Sequence, residues 1–98
     1  MGNDSALVTV VLADEIVVAG ELDAHTSPLL AEVARSVPPG SRGIDATDVT
    51  FVDASGLNLL LALHREAAGA GSTLSIRASA PVRRLVELTR LDDVLLLV

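Results

Sequence analysis

The residues of this chain best suited to chemistry gather in one stretch, Phe51-Val52-Asp53-Ala54-Ser55-Gly56-Leu57. Asp53 and Ser55 each carry an oxygen that can accept free N–H groups at a helix start. Gly56 lets a second backbone approach closely. An apolar strand end, then Asp-Ala-Ser-Gly, then an amphipathic helix puts polar groups at the carboxyl edge of a sheet, where α/β folds form their sites. The same residues also suit plain cap and spacer duty, and the pattern alone does not separate the two. Asp23 and Asp45 are expected at the same sheet edge as Asp53. Three converging carboxylates would suit a hard cation or an acid/base pair. Turn and cap duty for each is the simpler reading, and no metal or cofactor is expected. His25, in a loop, and His64, on the inner side of a long helix, have no His or Cys co-ligand at metal spacing. Ser55 has no histidine placed by a motif to act as its base, and the stretch is not Gly-x-Ser-x-Gly. With no catalytic constellation, the chain reads as a binding module and not an enzyme.

Composition narrows the class of partner. The 98 residues suffice for one domain, expected to span 1–98 with its core from about residue 7. Half the chain is apolar, yet Phe51 is its sole aromatic residue, so no stacking platform for single-stranded nucleic acid exists. The net charge of −6 repels phosphate backbones and anionic lipid surfaces and favours a basic partner. Every cation is arginine, which excludes Schiff-base chemistry and a P-loop lysine. Without cysteine there is no disulfide, thiolate nucleophile or zinc ribbon. No apolar run nears the ~18 residues of a membrane span, and Met1 to Ser5 lacks the basic start of a signal peptide. A soluble, cytoplasmic protein is expected, with no nucleic-acid partner and no membrane insertion.

The elements that must position the central stretch follow from hydrophobic periodicity. Leu7 to Leu12 and Ile16 to Ala19 read as antiparallel strands joined tightly through Ala13-Asp14-Glu15. Ser27-Pro28 signals a helix start with Ser27 as N-cap. Leu29, Leu30, Val33, Ala34 and Val37 then follow at helical spacing until Pro38-Pro39-Gly40. Arg42 to Thr47 is a short strand, and Val49 to Val52 leads into the central stretch. The next helix runs from about Ser55 to Ala68, its apolar faces leaving one polar-to-small stripe of Asn58, Ala62, Arg65, Glu66 and Gly69. Thr73 to Arg77 is a strand, and Ala80-Pro81 opens a helix with Val82, Leu85, Val86 and Thr89 inward. Val94 to Val98 closes the chain as strand or helix. The alternation predicts an α/β domain: a mixed, mostly parallel sheet of about five strands with three to four helices.

Taken in order, Gly20-Glu21-Leu22-Asp23, Thr26-x-Pro28-x-Leu30, Asp45, Val49 through Leu57, and Pro81 through Thr89 with Leu91-Asp92 resemble the STAS domain of anti-sigma factor antagonists. The resemblance spans about Leu7 to Val98. It implies a bacterial regulator that binds an anti-sigma factor, often a serine kinase of the histidine-kinase-like ATPase fold, and so frees a sigma factor for transcription. This is partner switching. The implied contact residues are Asp23, Asp53, Ala54, Ser55, Gly56, Asn58, Ala62 and Arg65. In such proteins a serine directly after the Asp is phosphorylated, and the added charge of about −1.5 to −2 disables binding.

Here that position is Ala54, which has no hydroxyl. Ser55 is an alternative acceptor, but one residue along a helix turns the hydroxyl by ~100°. The reading is therefore a protein not switched there, acting constitutively or through its amount. A STAS subunit of a lipid-transport ATPase complex, which needs no phosphoserine, is the alternative. Near the end of the third helix the family often has glycine where this chain has Arg90. A left-handed conformation there costs on the order of 1 kcal/mol.

Overall fold

The computed structural model describes residues 7–12 and 15–98. The connection expected at 13–14 and the amino terminus read for a signal peptide lie outside the described residues. The element order is β1 (Leu7–Leu12), β2 (Glu15–Leu22), α1 (Ser27–Ala34), a 3₁₀ turn (Pro39–Ser41), β3 (Gly43–Val52), α2 (Ala54–Gly69), β4 (Ser75–Ala78), α3 (Ala80–Leu88) and β5 (Leu96–Leu97). The five strands form one sheet in sequence order. β1 pairs antiparallel with β2, and every later pair is parallel. This is the expected fold class, with three α-helices as the crossovers.

Lateral registry decides which face is core. Ile16, Ile44 and Ile76 stand side by side across β2, β3 and β4, and all three are fully buried. The next row, Val17, Asp45 and Arg77, lies on the opposite face and is more open. Parallel crossovers of one hand between consecutive neighbours place their helices on one face. Leu30 and Ala34 of α1, Leu57, Leu60, Leu63 and Ala67 of α2, and Val82 and Val86 of α3 complete that core. Arg42 ties the helical layer together: its buried guanidinium donates to the Val37 carbonyl and pairs with Glu66 at 2.9 Å.

Five details of the expected elements need correcting. β3 is one ten-residue strand, not two pieces. It runs past β2 with two extra residues, because Val17 faces Asp45 while Ala19 faces Asp48, and Gly20 faces Val49 while Glu21 faces Phe51. Such bulges break the in-out alternation that strand reading depends on. Helix α1 begins one residue early, with Thr26 and not Ser27 preceding it, and Ser27 Oγ is buried without a partner. Leu29 is 52% exposed, and Thr89, expected inward, is exposed with its hydroxyl donating back to the helix. β5 is confined to two residues.

α3 ends in a Schellman arrangement. The Leu91 N–H donates to the Val86 carbonyl at 2.9 Å and the Arg90 N–H to Glu87 at 3.1 Å. Arg90 itself sits at φ 60°, the left-handed conformation expected there.

Candidate functional site

The site forms where β2 and β3 end side by side, Leu22 against Val52. Asp53 leaves β3 in extended conformation and caps α2, its Oδ1 accepting the N–H groups of Ser55 (2.9 Å) and Gly56 (3.2 Å). This satisfies two of the four N–H groups that a helix start leaves unpaired. The Asp53 N–H donates to the Leu22 carbonyl at 3.3 Å, so the first turn of α2 is pinned to the neighbouring strand end. Gly56 makes the approach possible. A Cβ there would stand 2.6 Å from the Leu22 carbonyl oxygen and 2.8 Å from Leu22 Cγ. Of the two candidate caps, Asp53 performs the role, and Ser55 lies inside the helix.

Asp23 organises the adjoining turn. Its Oδ1 accepts from the N–H groups of His25 and Thr26, both at 3.0 Å. The buried Thr26 hydroxyl accepts from the Asp23 N–H at 3.0 Å and donates to the Glu21 carbonyl at 2.6 Å. These bonds, that from the Thr26 N–H foremost, hold the Asp23 carboxyl below its ordinary pKa against a smaller desolvation effect. The loop from β2 into α1 is thereby fixed beside the start of α2.

Asp45 does not join them. It lies near the opposite end of β3, eight residues back, with its carboxylate bonded to the Thr47 hydroxyl (2.6 Å) and N–H (3.1 Å). Those bonds, the hydroxyl first, lower its pKa. The expected convergence of three carboxylates is therefore corrected to a pair of turn-forming aspartates, Asp23 and Asp53. Among the described residues no group of three His, Cys, Asp or Glu side chains is placed to hold a metal ion. His25 is exposed in its loop, and His64 is half-buried with Nδ1 lacking a partner.

On α2 the expected stripe is open. Ala54, Asn58, Arg65 and Gly69 are exposed and Ala62 is half-buried, in line from the pinned end outward. Glu66, counted with that stripe, is exposed but tied to Arg42. Ala54 is the first helical residue, so its methyl group stands at the exposed mouth of the turn, while Ser55 is half-buried. The structure thus brings Asp23, Asp53, Ala54, Ser55 and Gly56 to one corner, with Asn58, Ala62 and Arg65 leading away from it.

One feature of this corner goes beyond the sequence reading. Phe51 is 48% exposed although Val49, two residues earlier, is buried. The bulge at Thr50 reverses the alternation, and the Thr50 hydroxyl donates to the Gly20 carbonyl at 3.3 Å there. The sole signal in the sequence was the solitary aromatic at a strand end.

A one-sided, mostly parallel five-stranded sheet whose β3–α2 junction carries a capping Asp and a contact glycine defines a compact α/β class. The family profile described as "Mlab, STAS domain" matches residues 6–98, and the chain belongs to the STAS domain family. No curated protein matches the sequence. Among solved structures, the chain is similar to an anti-sigma factor antagonist from Mycobacterium paratuberculosis. That match has 28% identity and a TM-score of 0.85, covering 99% of this chain and 89% of that one. The anti-sigma factor antagonist SpoIIAA in its unphosphorylated form gives 22% identity and a TM-score of 0.68, over 95% of this chain and 88% of that one. The Bacillus cell fate determinant SpoIIAA in its phosphorylated form gives 22% and 0.60, over 95% and 91%. The two SpoIIAA likenesses speak to the fold.

Proposed function

We propose that this chain is an anti-sigma factor antagonist: it binds a kinase-type anti-sigma factor and so releases a sigma factor. The observation that carries the reading is the 28% identity to an antagonist over 99% of the chain. The geometry agrees with it. The contact surface runs from Asp23, Asp53, Ala54, Ser55 and Gly56 along Asn58, Ala62 and Arg65, an open strip whose first turn is held rigidly and so needs little ordering on binding. A phosphate at position 54 would stand at this exposed mouth beside the Asp53 carboxylate, where like charge and desolvation oppose docking. Ala54 cannot carry one. The protein is accordingly not switched by phosphate there and stays competent to bind.

The family profile's description names MlaB, which favours one second reading, a STAS subunit of a lipid-transport ATPase complex. Incubation with the cognate kinase and ATP separates the two. The antagonist reading predicts no stoichiometric phosphate on the natural chain and its appearance on the Ala54→Ser variant. Stoichiometric phosphate on Ser55 would refute the unswitched reading. Isolation with a transporter ATPase, and no affinity for any anti-sigma factor, would favour the second.

A further inference from the structure

We propose a second contact site on this protein: the groove between the end of β3 and the outer face of α3 receives one large apolar side chain from an acidic partner segment. Beyond residue 46, β3 has no β4 residue beside it, and α3 flanks this part of the strand; the Ser79 N–H bond to the Ala46 carbonyl (3.2 Å) marks the change. Thr50, Phe51 and Val52 form one wall, and Pro81, Arg84, Leu85 and Leu88 the other. Those four α3 residues follow i, i+3, i+4, i+7 spacing, a single helix stripe. It is separate from the buried stripe of Val82 and Val86 that holds α3 to the core. Leu88 is 73% exposed and Phe51 48%, so two of the groove's large apolar side chains are open to solvent. An exposed aromatic beside an exposed leucine and an arginine is the composition in which interface hot spots concentrate.

Size and charge select the occupant. The groove encloses about 200 Å³, less than the ~300–1,000 Å³ of small-molecule sites, and suits one side chain. Arg84 is the one charged residue of the groove's lining, exposed and outside the ion pairs found among the described residues. It favours a segment with a carboxylate next to its apolar anchor. The site is independent of whether the α2 strip binds an anti-sigma factor.

The test is selection of a phage-displayed random peptide library on the immobilised protein, followed by fluorescence polarisation with the selected peptides. The expected result is enrichment of a large apolar residue flanked by Asp or Glu, with affinity that falls as salt rises. Phe51→Thr and Leu88→Gln, both at exposed positions, should each weaken binding about tenfold or more at unchanged melting temperature. Arg84→Gln should weaken it and flatten the salt dependence. Asn58→Lys on the α2 strip should leave it unchanged. Failure to enrich such sequences, or selected peptides that bind Leu88→Gln as tightly as the natural chain, would overturn the proposal.

Discussion

Replacing Gly56 with alanine tests how the corner is built. Two effects oppose each other. Alanine in place of glycine within a helix is worth up to about 1 kcal/mol. Against it, the new methyl would sit 2.6 Å from the Leu22 carbonyl oxygen, 2.8 Å from Leu22 Cγ and 3.0 Å from Val52 Cγ2. The closest neighbour is backbone inside a parallel pair, and the Leu22 side chain is 1% exposed, so neither yields by swinging into solvent. Relief requires the first turn of α2 to slide off the strand ends, stretching the Asp53 bond to Leu22. Overpacking of this kind costs about 1–3 kcal/mol, and contact with backbone places it toward the upper end. The net loss is about 1–2 kcal/mol, or roughly 5–15 °C in melting temperature for a domain of this size. Gly69→Ala is the control, because a Cβ there meets nothing within 4 Å on the same helix. It should leave stability unchanged or raise it by up to about 1 kcal/mol. Thermal and urea unfolding of the two variants decide the matter. A Gly56→Ala melting temperature at or above that of the natural chain would refute the close approach of α2 to β2.

Two further substitutions probe the local chemistry. Arg90→Gly should stabilise by about 1 kcal/mol in urea unfolding, because glycine adopts the φ of 60° without steric cost while the Schellman bonds remain. No gain would mean that Arg90 holds this conformation without strain. Asp23 has a lowered pKa in the fold, so its contribution is present above the ordinary carboxylate pKa and is lost as pH falls through the lower, folded value. Asp23→Asn should therefore be the less stable protein near neutral pH and approach the natural chain as pH drops toward 3 and below. A gap constant with pH would contradict that assignment.

Much of the corner is legible in the sequence because its signals are local. An Asp before a helix and a glycine three residues on are statements about backbone within one turn, and Asp53 and Gly56 do what those types predict. The left-handed Arg90 stands where the resembling family often has glycine, and the arginine itself gives no local signal for it. Non-local geometry was harder to read. The bulges in β3 arise from pairing with β2, and they join what alternation divides between Thr47 and Val49. The same shift turns Phe51 outward. Thr26 displaced Ser27 at the start of α1 because its hydroxyl is already engaged with Glu21 and Asp23 across the turn. Asp45 falls at the other end of the sheet from Asp53 because the two short apolar runs of the sequence are one strand of ten residues.

The central claim is that the α2 strip is a protein-binding surface, and Asn58 is its cleanest probe: exposed, mid-helix, and outside the capping network. Isothermal titration of the purified anti-sigma factor with the natural chain and with Asn58→Lys, alongside their melting curves, measures it directly. The natural chain should bind, the variant should lose about tenfold or more in affinity, and the two melting temperatures should nearly coincide. Equal affinities for the two proteins, or a loss of affinity that merely tracks a loss of stability, would contradict it.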